Sequence, residues 1–289
     1  MADAAQPREL PAKRIIAFVF TTVFLNMVGF GLIIPIMPTL MVDVTGAGIS
    51  NAARYTGILY VVFALGQFIF SPILGGLSDR YGRRPVLLVS LTFYALDFLL
   101  LAVAPTFAWL VVARVLSGVT SATYATANAV IADVLPPKER AGTFGLTGAA
   151  FGLGFIIGPV IGGSLAEFGV RTPFYVGAAL GGINVLFGLI AMPETLKTKR
   201  AFSWRRANPL GSIYAASRHA GVVLVLISMF LVQFAYQALP SVFAFFATLT
   251  FGWTPLHISY ALAFVGLTSA TVQVGLVRRV TAKIGEARA

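Results

Sequence analysis

The stretch "GGLSDRYGRRP", Gly75–Pro85, sets Asp79, Arg80, Arg83 and Arg84 within six positions between two long apolar runs. Gly75 allows close packing where the first run ends, and Gly82 permits a tight turn, because a residue without Cβ accepts backbone conformations that others avoid. Pro85 suits the first turn of a helix, where the ladder needs no N–H. The stretch therefore reads as a charged hairpin between two apolar helices, and its meaning depends on what those helices cross.

Of the 289 residues, 58% are hydrophobic and 11% charged, with a mean hydropathy of +0.88. A soluble domain carries about a quarter charged residues, so the solvent here is lipid. Apolar windows recur along the whole chain, each long enough to cross a ~30 Å hydrocarbon layer at 1.5 Å per residue. They are continuous rather than alternating, which excludes a membrane β-barrel. The fold class is an all-α membrane protein, with the lipid bilayer as its surroundings. The net charge of +11 does not indicate nucleic acid, because the basic residues sit in short loops between spans, where they set orientation. Cysteine is absent, so thiol chemistry and disulfides are excluded. His219 and His257 stand 38 positions apart without metal-ligand spacing, and no nucleophile triad or phosphate loop occurs. The sequence predicts no enzyme, no metal and no cofactor.

Eight spans are predicted, over 15–37, 55–77, 86–104, 107–132, 142–165, 173–192, 221–246 and 255–277. The first follows Arg8, Lys13 and Arg14 and is far too long for a cleaved signal segment. Eighteen Lys and Arg residues fall on one side of this arrangement and two, Arg54 and Arg171, on the other, with Arg114 inside a span. The positive-inside tendency then places both termini and the charged hairpin in the cytoplasm. The one long polar connection, 193–219, carries Lys197, Lys199, Arg200, Arg205 and Arg206, with Trp204 as an interfacial anchor. It divides a six-helix bundle (1–192) from a two-helix remainder with a basic tail (220–289). Pro38 lies 44 positions before Gly82, and Pro240 lies 45 before Gly285. "AKIGE" (282–286) thus stands where "DRYGR" (79–83) stood, and a second structural repeat begins and stops after its second helix.

Several stretches together resemble the major facilitator superfamily, in particular its drug/proton antiporters of the tetracycline-resistance type. They are "GGLSDRYGRRP", "RVLSG" with Arg114, "GFIIGPVIGG" (154–163), "MPETL" at the end of span 6, "NPL", "GFGLIIPIMP" and "IADVLPPKERAGTFG". The resemblance covers nearly the whole chain, although such proteins have twelve spans. It implies a major facilitator fold with a complete first bundle and the first two helices of the second. It also implies proton-coupled efflux of an amphipathic, tetracycline-like drug by alternating access in the bacterial cytoplasmic membrane, driven by the proton gradient. Protons and a small-molecule substrate would be the partners; oligomeric state is left open. A truncated, transport-inactive product and a transporter of another small solute are the competing expectations.

Two charges fall inside the membrane. Asp97 lies about 16 Å into span 3 and Arg114 about 10 Å into span 4 from the opposite face, so a pair between antiparallel neighbours is feasible. A lone charge at that depth costs ~3 kcal/mol or more. The pair either holds the two helices together or serves protons and substrate in a wet cavity; the resemblance implies the second. Asn26, Gln67, Gln233 and Gln237 share mid-membrane depth and are predicted to line the cavity, though each is open to a plain interhelical hydrogen bond. The resembled exporters carry Asp where Asn26 stands, which leaves the substrate open. Gly154, Gly158, Gly162 and Gly163 place small residues at helical spacing around Pro159, for close packing and, by resemblance, for a pliable helix contacting span 8. Arg80, Arg83 and Arg84 suffice as topology anchors. Asp79 needs another role: an acceptor for Arg140 in "PPKER", forming a cytoplasmic latch, or a helix cap.

Overall fold

The computed structural model describes residues 12–272 apart from 122, 205–206, 212–213, 215–217 and 219. The elements among the described residues are helices: α1 (Ala12–Ile33), α2 (Met37–Thr45), α3 (Ile49–Tyr81), α4 (Arg83–Val103), α5 (Phe107–Thr120), α6 (Thr123–Val134), α7 (Pro137–Ala166), α8 (Thr172–Ala191), α9 (Ala220–Phe251) and α10 (Pro255–Thr271). Seven segments among the described residues are long and apolar enough to cross a membrane. The eighth predicted span forms α10, and the end expected at 277 lies outside the described residues, as does "AKIGE".

α3 begins six residues before its predicted span, α7 five before, and α9 ends five after; three further departures each have a local reason. The first span stops at Ile33 rather than 37, because Pro35 lacks an N–H and disfavours helix in the residue before it. The chain turns over residues 34–36 and restarts as the short α2, with Pro38 in its first turn. The fourth span is two helices: Ser121 (φ −77°, ψ 60°) leaves the helical region and ends α5. The third departure is the charged hairpin itself. α3 runs without interruption to Tyr81 and α4 starts at Arg83, so the reversal is made by Gly82 alone, at φ 121°.

The helices pack α1 on α7, α4 on α8, α3 on α5 and α7 on α10. Leu32, Ile36, Leu40, Leu59, Phe98 and Phe174 form one core; Phe18, Leu87, Leu91, Val130 and Ile131 form a second toward the basic end. The glycines of α7 explain its closeness to α1. A Cβ at Gly154 would stand 2.7 Å from Phe24 O, one at Gly158 2.5 Å from Val28 O, and one at Gly162 2.6 Å from Leu32 O. These are main-chain contacts, so no side chain can move aside. Gly163 faces the other way, where a Cβ would run into Ser259 and Pro255 of α10. At the end opposite the basic loops, Arg171 donates to Ala102 O at 3.1 Å and to Asp43 at 3.4 Å, tying α8 to α4 and α2. α9 is different. Ala244 and Ala247 are buried in its second half, whereas Leu224, Phe230 and Phe234 in its first half are 65–70% exposed.

Candidate transport site: an intramembrane ion pair and a charged end

Asp97 on α4 and Arg114 on α5 form the pair that their depths predicted, with Arg114 Nη2 donating to Asp97 Oδ2. Only 2% of Asp97 and 9% of Arg114 is exposed. They line a half-open cavity of about 160 Å³ between α1, α3, α4, α5 and α6. Phe30, Phe63, Tyr94, Phe98 and Tyr124 supply aromatic surface, and Asn26, Gln67, Ser90 and Ser117 supply polar groups. Tyr94 is set by its hydroxyl, which donates to Leu25 O at 3.2 Å. Its ring fits only because position 29 is Gly; a Cβ there would overlap the phenol oxygen. Close approach of α3 to α5 rests on Gly118 of "RVLSG", where a Cβ would come within 2.6 Å of Phe63 O. Within the cavity, Arg114 Nε and Ser90 Oγ have no partner among the described residues. Asp97 Oδ1 is likewise buried without a partner, so the pair leaves hydrogen-bonding capacity of both its members unused.

The predicted cavity residues divide. Asn26 and Gln67 line the cavity; Asn26 Nδ2 also donates to Thr22 O at 2.9 Å. Gln233 and Gln237 do not line it. Both are exposed near the middle of α9. Asn184 on α8, not foreseen as a polar core residue, is 1% exposed and accepts from Thr22 Oγ1 at 3.1 Å. Its signal, one Asn in an otherwise apolar span, was present in the sequence.

At the basic end the expected latch pair does not form. Arg140 donates to Leu135 O at 2.9 Å and Ala132 O at 2.7 Å, filling carbonyls that the end of α6 leaves open. Asp79 instead pairs with Arg83, one turn on, at 2.7 Å. Arg83 bridges to Asp133 of α6 at 2.8 Å and to Ser78 Oγ at 3.0 Å. The side-chain link from the α3–α4 turn is therefore to the end of α6 through Arg83–Asp133, not to the next loop through Asp79–Arg140. Arg80 is exposed and lies over the ring of Tyr81, in keeping with an anchor. Gly75 has no atom within 4 Å of its would-be Cβ; the close contact belongs to Gly76, against Phe202.

Glu194 of "MPETL" is another residue that sequence reasoning missed. Its carboxylate accepts from the backbone N–H groups of Arg83 (2.9 Å) and Arg84 (3.3 Å), and from Thr195 and Leu196 (3.0 Å each). It thereby caps the N-terminus of α4, where unpaired N–H groups and the helix dipole favour an anion. Gly82 is required twice, by its positive φ and because a Cβ would strike this carboxylate. Arg84 closes the assembly, its Nη2 donating to Leu189 O at 2.8 Å near the end of α8.

Comparison with known proteins agrees with this architecture. The family model for the Major Facilitator Superfamily matches residues 19–289. The chain is 36% identical over 269 residues to the tetracycline resistance protein, class C, of Escherichia coli, covering 93% of this chain and 67% of that protein. It is 30% identical over 280 residues to multidrug resistance protein 2 of Bacillus subtilis (strain 168), covering 96% and 69%. It thus spans about two thirds of the length of these relatives. Among solved structures, the human organic anion transporter MFSD10 (TETRAN) superposes with a TM-score of 0.74 at 24% identity, over 95% of this chain and 73% of that one. The chain belongs to the Major Facilitator Superfamily, and is a multi-pass membrane transporter rather than an enzyme.

Proposed function

We propose that this protein exports an amphipathic, tetracycline-like drug in exchange for protons, by alternating access in the bacterial cytoplasmic membrane with its basic loops and both termini in the cytoplasm. Residues 1–192 form the first bundle, 193–219 the cytoplasmic linker and 220–289 the portion of the second bundle present. The observation that carries the proposal is the buried Asp97–Arg114 pair facing a cavity with aromatic walls. Protonating Asp97 discharges the acid and leaves a guanidinium unpaired in a poorly hydrated site, which costs several kcal/mol. The cheapest relief is a shift of α5 against α4, and both helices line the cavity. Proton binding is thereby linked to cavity shape, and no cofactor is needed beyond the proton gradient. Asn26 contributes hydrogen bonds but no charge, so the drug's recognition here does not include a carboxylate on α1. The α7 glycines and Pro159, packed on α1 and α10, give the helix that flexes as the bundles rock.

Everted vesicles from cells expressing the chain test this. Adding a tetracycline should release protons and accumulate drug, and Asp97→Asn should abolish both. Drug sensitivity and proton flux that are the same with and without the chain would overturn the proposal.

A further inference from the structure

The linker after α8 is not a loose tether. Arg200 N–H donates to Asp79 O at 2.9 Å. Phe202 and Ala207 sit against Gly76 of α3, where a Cβ would stand 3.0 Å from Phe202 and 3.9 Å from Ala207. Ala207 is 3% exposed. The segment is thus a strap laid across the end of α3 with an inner apolar seam. Its outer surface is of another kind: Trp204 is 71% and Leu210 66% exposed. Trp204 meets Phe202 edge-on at 5.0 Å, which fixes it facing away from the protein. Between 193 and 219 stand six Lys and Arg residues and one acid, Glu194, whose carboxylate is already engaged by four backbone N–H groups. Lys197, Lys199 and Arg200 are exposed.

The strap's two ends are the end of α8 and the start of α9, and both helices are membrane spans. Its height is therefore fixed near the plane where headgroups begin. There, an exposed Trp favours the interface and a cluster of cations attracts anionic headgroups within about a Debye length.

We propose that this strap is a docking surface for anionic phospholipid: Lys197, Lys199 and Arg200 face the headgroups and Trp204 and Leu210 enter the lipid below them. Arg200 is held at the α3–α4 turn by its backbone bond to Asp79 O and lines one cleft with Asp79, Arg83 and Asp133, so lipid charge drawn to Arg200 bears on that turn. The leaflet composition thereby reaches the ion-pair network at the charged end.

The test uses the full chain in vesicles of phosphatidylcholine and phosphatidylglycerol in equal parts, with brominated chains on one lipid or the other. The difference in emission between the chain and its Trp204→Phe variant isolates Trp204. Brominated phosphatidylglycerol should quench that emission about twofold more than brominated phosphatidylcholine. The preference should vanish in ~1 M salt and in the Lys197→Gln, Lys199→Gln, Arg200→Gln triple variant. The salt arm uses the unmodified chain, so it decides even where the variant fails to insert. Equal quenching by the two lipids, or a preference that survives high salt, would overturn the proposal. So would emission quenched by neither lipid, the result expected of a face made for a soluble partner.

Discussion

The Asp97–Arg114 pair poses a question that one substitution cannot answer. Removing either partner leaves a buried charge without its counter-ion, and such losses run to about 3–5 kcal/mol. A dead Asp97→Asn variant is therefore ambiguous between lost chemistry and lost structure. The double variant Asp97→Asn, Arg114→Met removes both charges at once, and replacing a buried pair by uncharged groups is often neutral for stability. Thermal unfolding in detergent should show each single variant markedly destabilised and the double variant restored close to the parent. Drug transport should be absent from all three. A double variant that recovered transport along with stability would make the pair structural only. Two other residues at the charged end show why pairing needs tertiary information. Asp133 and Glu194 both lie in stretches quoted for family resemblance, yet neither drew attention, because their partners are 50 and 111 positions away. Arg140 was offered to Asp79 as the cation of the next loop, but it donates instead to open carbonyls at the end of its own preceding helix. Intramembrane depth reveals a buried pair; it says nothing about which loop cation a loop acid meets.

At the scale of elements, helix identity was legible from apolar length, and three departures came from single residues. Pro35, Ser121 and Gly82 each changed where a helix stops, and only Gly82 was foreseen as a turn. The α1–α7 contact was legible in part. The spacing of Gly154, Gly158 and Gly162 announced a close approach, but the partner helix is set by the bundle and cannot be read from α7 alone. That contact also supplies an internal control. A Cβ at Gly158 would stand 2.5 Å from Val28 O and 2.8 Å from Gly31 Cα, whereas one at Gly152 on the same helix has nothing within 4 Å. Gly158→Ala must push α1 and α7 apart, and overpacking of this kind costs typically 1–3 kcal/mol. Gly152→Ala should be neutral or slightly stabilising, since Ala is the better helix former. Unfolding temperatures of the two variants beside the parent check the difference. Equal temperatures would mean that the interface gives way without strain.

For the whole molecule, the distribution of charge is the strongest statement the sequence makes, and its consequence is an orientation. The described positions divide into two ends. Ala47 and Gly48 lie between α2 and α3 at one, and Lys199 with the Glu194 cap lies at the other. Packing does not reveal which end faces the cytoplasm, because a bundle is equally stable either way up once inserted. What was not legible at this scale is the uncovered half of α9. Gln233 and Gln237 share the depth of the cavity residues, but depth fixes a level and not a direction, and the helix turns them away from the cavity. The absence of cysteine makes the orientation directly measurable. Single variants Gly48→Cys and Lys199→Cys each introduce the molecule's one thiol at an exposed position. With eighteen cations on one side, a membrane-impermeant maleimide added to intact cells should label Gly48→Cys. Lys199→Cys should react only in everted vesicles. The reverse pattern would require eighteen cations to cross the membrane during insertion while two stay behind. That outcome would also move the lipid-facing strap to the other leaflet and reverse the direction of the proposed exchange.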